Sequence, residues 1–289
     1  MRVALIERWD MEGARRAVRS ESDIEPPARP FLKWVGGKRQ LLGAIEKHVP
    51  AKYRTYHEPF LGGAALFFHA KPTRAVLSDS NVRLIRTYRG IQNDVEGVIR
   101  RLRAYRYERA HYLRVRQRDI DKESDTDLAA WFIFLNRTGF NGLYRVNSKN
   151  RFNVPFGRYT NPLICDADNL RACAKALASA ELRVDGFESV LRAARKGDFV
   201  YFDPPYVPLS PTSSFTSYTS AGFDEQMQTR LRDVVAELKE RGVRVLLSNS
   251  AAPLVKLLYQ DFEREEVAAN RMVNSRADRR HKITELLIW

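Results

Sequence analysis

From residue 31 onward, short apolar runs bounded by glycine or proline alternate with longer stretches in which apolar positions recur every three or four residues. That rhythm predicts strands alternating with helices, because a strand repeats every two residues and a helix every 3.6. The clearest early unit is a strand over residues 55–60, a glycine turn at Gly62 and Gly63, an apolar helix over 64–70 and a strand over 75–79. A second region of this kind begins at residue 198. It holds predicted strands over 199–203 and 243–248, a helix over 224–241, and closing strands near Glu265 and over 284–289. Strands and helices in alternation imply an α/β fold with a mostly parallel sheet.

The stretch between these regions has a different character. Residues 83–118 carry eleven arginines and three acids (Asp94, Glu96, Glu108), a local balance of +8, and predict helices with a basic face. An apolar helix over 125–136 follows, and then residues 137–159, which contain no acid and five cations: Arg137, Arg145, Lys149, Arg151 and Arg158. Asn141-Gly142 and Asn147-Ser148 punctuate that segment and predict a β-hairpin. Residues 1–29 hold six arginines and six acids, with prolines at 26, 27 and 30 around their end, and predict a mobile or loosely helical extension. The expected organisation is therefore this extension, one α/β domain in two segments (30–82 and 164–289), and a basic helical and hairpin insertion over 83–163.

Composition narrows the partner. With 289 residues, 44% of them hydrophobic, a buried core is available and a wholly disordered chain is excluded. A net charge of +14 points to a polyanion, and nucleic acid is the leading case. The two cysteines, Cys165 and Cys173, can build neither a disulfide framework nor a four-ligand zinc site, so no metal is expected. No apolar run approaches the roughly 18 residues of a membrane span, and the first ten residues are unlike a signal peptide. A soluble, cytoplasmic protein, nucleoid-associated or phage-encoded, is expected.

Four constellations carry candidate chemistry. Asp203-Pro204-Pro205-Tyr206 directly follows an apolar strand, where a carboxylate faces the ligand crevice of a parallel sheet. Two prolines stiffen that loop and remove two donors, leaving carbonyl acceptors beside a carboxylate and an aromatic ring. This combination suits a planar amine on a heteroaromatic ring, such as the exocyclic amine of adenine. Glu58-Pro59-Phe60-Leu61-Gly62-Gly63 ends a strand in a glycine turn that lets a ligand approach the backbone, and Asp79 closes the next strand at the position that bonds ribose hydroxyls in nucleoside-binding α/β domains. Neither the dinucleotide fingerprint nor a Walker loop is matched: Ala64 and Ala65 break the first, and Leu32 and Arg39 around Gly36-Gly37-Lys38 break the second. Trp34 and Lys38 could instead wall a nucleoside-like pocket. In residues 136–159, arginines that can pair with guanine are interleaved with aromatics that can stack or wedge between bases.

In this order, the four constellations resemble the Dam-type DNA adenine-N6 methyltransferases over residues 31–289. The resemblance implies a Rossmann-like methyltransferase domain with a mostly parallel mixed sheet, plus a helical and β-hairpin target-recognition insertion. It also implies S-adenosyl-L-methionine as cofactor, contacted by Trp34, Lys38, Asp79 and Asp203 with Phe60 and Gly62 lining the pocket. Asp203, Pro204 and Tyr206 would hold an adenine flipped out of duplex DNA, the only way its amine can be reached. Arg137, Phe140, Asn141, Leu143, Arg145, Lys149, Pro155 and Tyr159 would meet DNA; Leu143, Arg145 and Pro155 fall on base-reading positions that imply a G-A-T-C target. Two departures stand out. The family's glycine loop reads closer to F-x-G-x-G, whereas Ala64 occupies the last position here, and Phe140 stands where the family commonly has Tyr. A cytosine-C5 chemistry is disfavoured, since neither cysteine follows a proline. An RNA adenine methyltransferase of the same fold and a non-catalytic DNA-binding regulator are the competing readings, and a cognate restriction endonuclease is a candidate partner.

Overall fold

The computed structural model describes residues 27–206, 223–270 and 282–289. The extension expected over 1–29 lies outside them except for its last three residues. That end is anchored: the Arg29 backbone exchanges two hydrogen bonds with the Asn169 side chain, and its guanidinium pairs with Asp166 at 2.6 Å.

One sheet is built from β1 (Tyr56–Glu58), β2 (Ala75–Asp79), β3 (Ala180–Val184), β4 (Phe199–Phe202), β5 (Arg244–Ser250), β6 (Arg264–Asn270) and β7 (Lys282–Ile288), in the order β3-β2-β1-β4-β5-β7-β6. The pairs from β3 to β5 are parallel, and β7 runs antiparallel to both of its neighbours. The chain order reverses between β1 and β4, which opens a crevice at the carboxyl ends of those strands. β4 is buried along its whole length, as a central parallel strand must be, and so reads as an unbroken apolar run. Sequence patterning missed β3. Its residues alternate buried and exposed at the sheet edge, and an outward Glu181–Arg183 pair dilutes its apolar signal.

Around the sheet pack α1 (Leu42–Glu46), α2 (Ala65–Ala70), α3 (Val82–Ala104), α4 (Arg109–Arg116), α5 (Asp125–Thr138), α6 (Ala167–Leu177), α7 (Val190–Ala193), α8 (Glu225–Glu240) and α9 (Pro253–Leu258). Side-chain caps set several starts: Asn81 accepts from the Leu84 amide, Ser124 from that of Asp127, and Asp224 from that of Met227. α5 is buried from Leu128 through Asn136 and lies against α3, closest at Gly90, where a β-carbon would sit 2.4 Å from the Asp125 carbonyl. An apolar cluster runs without a break from Phe31 through the sheet, α3 and α5 to Tyr144, Phe152 and Val154. The other face of the sheet packs on α8 and α9.

Two expectations need correction. The basic face of α3 is partly neutralised: Arg83, Arg86 and Arg101 pair at 2.6 Å with Asp121, Asp125 and Asp127. These acids lie just beyond the window that gave a balance of +8. The β-hairpin over 137–159 has antiparallel arms but no ladder, only isolated bridges at Gly139–Phe156 and Val146–Phe152 and a 3-10 turn at Phe140–Gly142. Left-handed backbone at Asn141 (φ 53) and Gly142 (φ 64), and the missing donor of Pro155, interrupt pairing, whereas Asn150 (φ 54) closes the turn at the tip.

Candidate active site

The crevice is assembled from the ends of β1, β2, β4, β5 and β7. Asp203, one residue past β4, meets the Lys38 ammonium at 2.6 Å through Oδ1, and the Lys38 side chain is only 3% exposed. Lys38 also donates to the Gly36 carbonyl (2.7 Å), lies 3.9 Å from Glu285 on β7, and sits 4.6 Å from the centroid of the Tyr206 ring. Ser248 on β5 donates to the same Asp203 oxygen at 3.2 Å. Burial pushes the Asp203 carboxyl up, opposed by Lys38 and Ser248. Pro204 is buried, and the next carbonyl, that of Pro205, is taken by Gln228 Nε2 (3.2 Å), itself braced by Asn249 at 3.0 Å.

At β1, Glu58 is buried with one oxygen accepting from the Tyr56 hydroxyl (2.8 Å); desolvation raises its carboxyl from 4.5 to about 8. The turn that follows is tight beneath Trp34. A β-carbon on Gly62 (φ 46) would lie 2.8 Å from the indole, and Ala64 keeps the left-handed backbone (φ 55, ψ 38) of a glycine. The departure from the F-x-G-x-G pattern is thus absorbed as local strain, with the turn itself retained. Asp79, at the end of β2, accepts from the amides of Gly62 (3.1 Å) and Asn81 (2.9 Å). These bonds oppose the upward push of burial, and each oxygen keeps a lone pair for a ligand hydroxyl. Phe60 packs among Phe187, Phe202 and Phe223, forming the apolar wall next to the turn.

Among the described residues, four carboxyl groups (Glu58, Asp79, Asp203, Glu285) thus share this crevice with one ammonium. Glu285 Oε2 and the Tyr206 hydroxyl are buried without a hydrogen-bond partner there. A surplus of acid, unsatisfied polar atoms and a glycine cradle fit a cationic ligand bearing a ribose. No group of metal-ligating side chains occurs among the described residues.

Residues 137–159 stand beside this crevice. Trp34 joins the two, because it stacks with Phe132 of α5 and Tyr144 of the segment at interplanar angles of 22° and 24°. Asn136 ties the Lys33 backbone to the Gly142 carbonyl through three bonds of 2.7–2.8 Å. Phe140 is 46% exposed; Asn141, Arg145, Lys149 and Pro155 are exposed and Leu143 half-buried. Asn153 fixes the Arg145 guanidinium at 2.7 Å. Arg137 and Tyr159 are instead engaged internally, donating to the carbonyls of Phe31 (2.8 Å) and Gly139 (2.9 Å). Sequence reading missed the residues that hold this segment up. Tyr107 donates to the Gly157 carbonyl (2.7 Å), while Tyr112 and Arg116 of α4 donate to that of Val154. Tyr107 in the connector before α4 and Tyr112 on that helix gave no signal that separated them from core. Ser248 and Gln228 were missed as well, since a serine at a strand end and a glutamine among the polar residues of an amphipathic helix carry no motif.

A doubly wound sheet whose reversal point gathers acidic strand ends, a glycine turn and a D-P-P-Y loop places the chain among α/β proteins with a ligand crevice at the strand ends. Comparison with known proteins specifies it. The family described as D12 class N6 adenine-specific DNA methyltransferase matches residues 34–273. The chain is 46% identical to the Type II methyltransferase M1.LlaDCHI of Lactococcus lactis subsp. cremoris, over 90% of this chain and 94% of that one. It is 41% identical to the Type II methyltransferase M.MjaIII of Methanocaldococcus jannaschii (90% and 98% covered) and 34% identical to the DNA adenine methylase of Escherichia coli K12 (90% and 94%). The chain belongs to the D12 class of N6 adenine-specific DNA methyltransferases, and its activity is site-specific methylation of adenine N6 in DNA.

Proposed function

We propose that the methyl donor is S-adenosyl-L-methionine, that the target is an adenine flipped out of duplex DNA within G-A-T-C, and that residues 83–163 choose the site while 30–82 and 164–289 carry out the transfer. The observation that carries the reading is Asp203 at the reversal point, ion-paired through one oxygen and followed by two prolines and a tyrosine. Bound there, the cofactor supplies an electrophilic methyl group on a sulfonium. Asp79 would take the ribose hydroxyls, Gly62 and Trp34 the close edge of the nucleoside, Phe60 its apolar side, and Lys38 would keep Asp203 charged and in place.

The adenine amine is a poor nucleophile because its lone pair is delocalised into the ring. Asp203 Oδ2 and the Pro204 carbonyl can each accept one amine hydrogen, which favours a pyramidal nitrogen in the transition state. With the cofactor bound, its sulfonium would supply the methyl group in exchange for one amine proton, and Asp203 would receive that proton. Tyr206 has one ring face on the Lys38 ammonium and the other for the base, replacing the stacking lost on flipping.

Phe140, Asn141, Leu143, Arg145, Lys149 and Pro155 form the proposed DNA face, with Arg137 and Tyr159 supporting it from inside. No helix among the described residues is long and apolar enough to cross a membrane. The Type II naming of two relatives supports a cognate restriction endonuclease as companion. The test is to incubate the chain with duplex plasmid and labelled cofactor and to map every methylated base. N6-methyladenine confined to G-A-T-C is expected. Methylation centred on another sequence would overturn the target, and cofactor affinity unchanged in Asp79→Ala by calorimetry would overturn the cofactor site.

A further inference from the structure

Two buried hydroxyls lie directly behind the carboxylate at the reversal point. Tyr201 on β4 and Ser248 on β5 are 1% and 0% exposed, and their oxygens are 2.9 Å apart. Ser248 Oγ is in turn 3.2 Å from Asp203 Oδ1. A carboxylate brings no hydrogen, so Ser248 must donate to Asp203. With its single hydrogen committed, Ser248 can only accept from Tyr201. The chain of hydrogen bonds therefore runs one way, from Tyr201 to Ser248 to Asp203. Lys38 approaches the same oxygen at 2.6 Å from a different element, and Oδ2 has no partner among the described residues.

We propose that Tyr201 and Ser248 are positioning residues of the methyl transfer, which saturate Oδ1 and so hold Asp203 in the one orientation that presents Oδ2 to the adenine amine. This rests on the reading of Asp203 as the acceptor of that amine. Lys38 alone cannot fix the carboxylate plane, since an ammonium on a flexible stem follows either oxygen as the group turns. A hydroxyl fixed on a central strand cannot follow. Turning the carboxylate would break the Ser248 bond and leave two buried hydroxyls without their order. A transfer that depends on placement within tenths of an ångström feels such a turn strongly.

The groups facing Asp203 from the surrounding elements are Lys38 before α1, Glu58 on β1, Tyr201 on its own strand, Tyr206 in its own loop and Glu285 on β7. Of these, Lys38 favours the charged carboxylate, as does the Ser248 hydroxyl, whereas Glu285 opposes it and Glu58 keeps its own proton up to about pH 8. Removing the Ser248 hydroxyl therefore raises the titration of Asp203, and the acid limb of the rate profile should move to higher pH. A merely structural serine would leave that limb in place.

Ser248→Ala, Tyr201→Phe and Asp203→Ala are assayed in the full chain with duplex DNA and S-adenosyl-L-methionine. The readouts are kcat between about pH 5 and 9, cofactor affinity and melting temperature. In Ser248→Ala, kcat should fall about tenfold with the acid limb displaced upward, and Tyr201→Phe should show the same change at smaller size. Cofactor affinity should stay within about twofold in both, and Ser248→Thr, which keeps the hydroxyl, should recover the limb. Should Ser248→Ala fail to fold, Tyr201→Phe carries the test. Unchanged kcat and an unmoved limb in the folded variants, with Asp203→Ala inactive, would overturn the proposal and leave Asp203 as acceptor. An active Asp203→Ala would instead overturn the reading beneath it.

Discussion

The crevice and the recognition segment use opposite means to hold their shape. Asp203, Asp79 and Glu58 stand at the ends of strands whose parallel ladders fix them, and their neighbours are buried. Residues 139–159 have no ladder. A few separate backbone bonds between the arms, such as Phe140 to Pro155 and Asn153 to Arg145, are joined by side chains reaching from Tyr107, Tyr112, Arg116 and Asn136, and the tip over 147–151 faces solvent. A strand end places a group accurately but changes little without disturbing the sheet. A segment held largely by side chains can be changed at its tip without disturbing the sheet, which suits the part proposed to read sequence.

The comparison can be broken first at its rigid end. Asp203→Ala should cut methyl transfer about 10²-fold or more with duplex binding nearly unchanged, measured by tritiated methyl incorporation and by electrophoretic binding. A rate above about a tenth of wild type would remove Asp203 from the chemistry. Glu58 tests the same region through pH. Its carboxyl rises from 4.5 to about 8 on folding, so its stabilising contribution is complete below about 4.5 and is lost as pH rises through 8. Glu58→Gln should therefore lose less stability than wild type between those values, by up to about 1.4 kcal/mol per pH unit, in denaturant titrations. Parallel slopes would mean that Glu58 is charged in the fold.

The hung segment should respond differently. Tyr107→Phe and Tyr112→Phe each remove a hydroxyl that donates to a segment carbonyl, at a cost of about 1 kcal/mol. The loss should appear in KM for DNA, with cofactor affinity unchanged in calorimetry. A change in cofactor affinity instead would mean that the two regions are not separable in this way. The smallest effect belongs to the glycine turn. Ala64→Gly relieves a left-handed alanine (φ 55) but loosens the unfolded chain, so it should stabilise by only about 0.5 kcal/mol in thermal unfolding; destabilisation would show that the turn is unstrained.

Much of this contrast was legible in the sequence, but unevenly. β2, α5 and α8 were readable because apolar period, capping residue and flanking turn agree at Ala75, Ser124 and Asp224. The D-P-P-Y loop announced itself by following an apolar strand. β3 did not, because charges on its outer face break the run. The basic balance of 83–118 was real as arithmetic yet misleading as surface, since the compensating acids at 121, 125 and 127 follow in sequence but meet α3 in space. Support such as that from Ser248 or Tyr107 depends on contacts between residues 45 and 50 positions apart, and no local pattern encodes them.

The central claim is that chemistry and sequence choice reside in separate regions, and methylation of a library of single-base variants of G-A-T-C by wild type, Asp203→Ala and Arg145→Ala tests it most directly. Asp203→Ala should lower every rate by a similar factor of about 10² and preserve the rank order of sites. Arg145→Ala should cost about 1–3 kcal/mol at the preferred site and flatten the preference at one base pair. A uniform loss across all variants in Arg145→Ala, or a reordering of sites in Asp203→Ala, would contradict it.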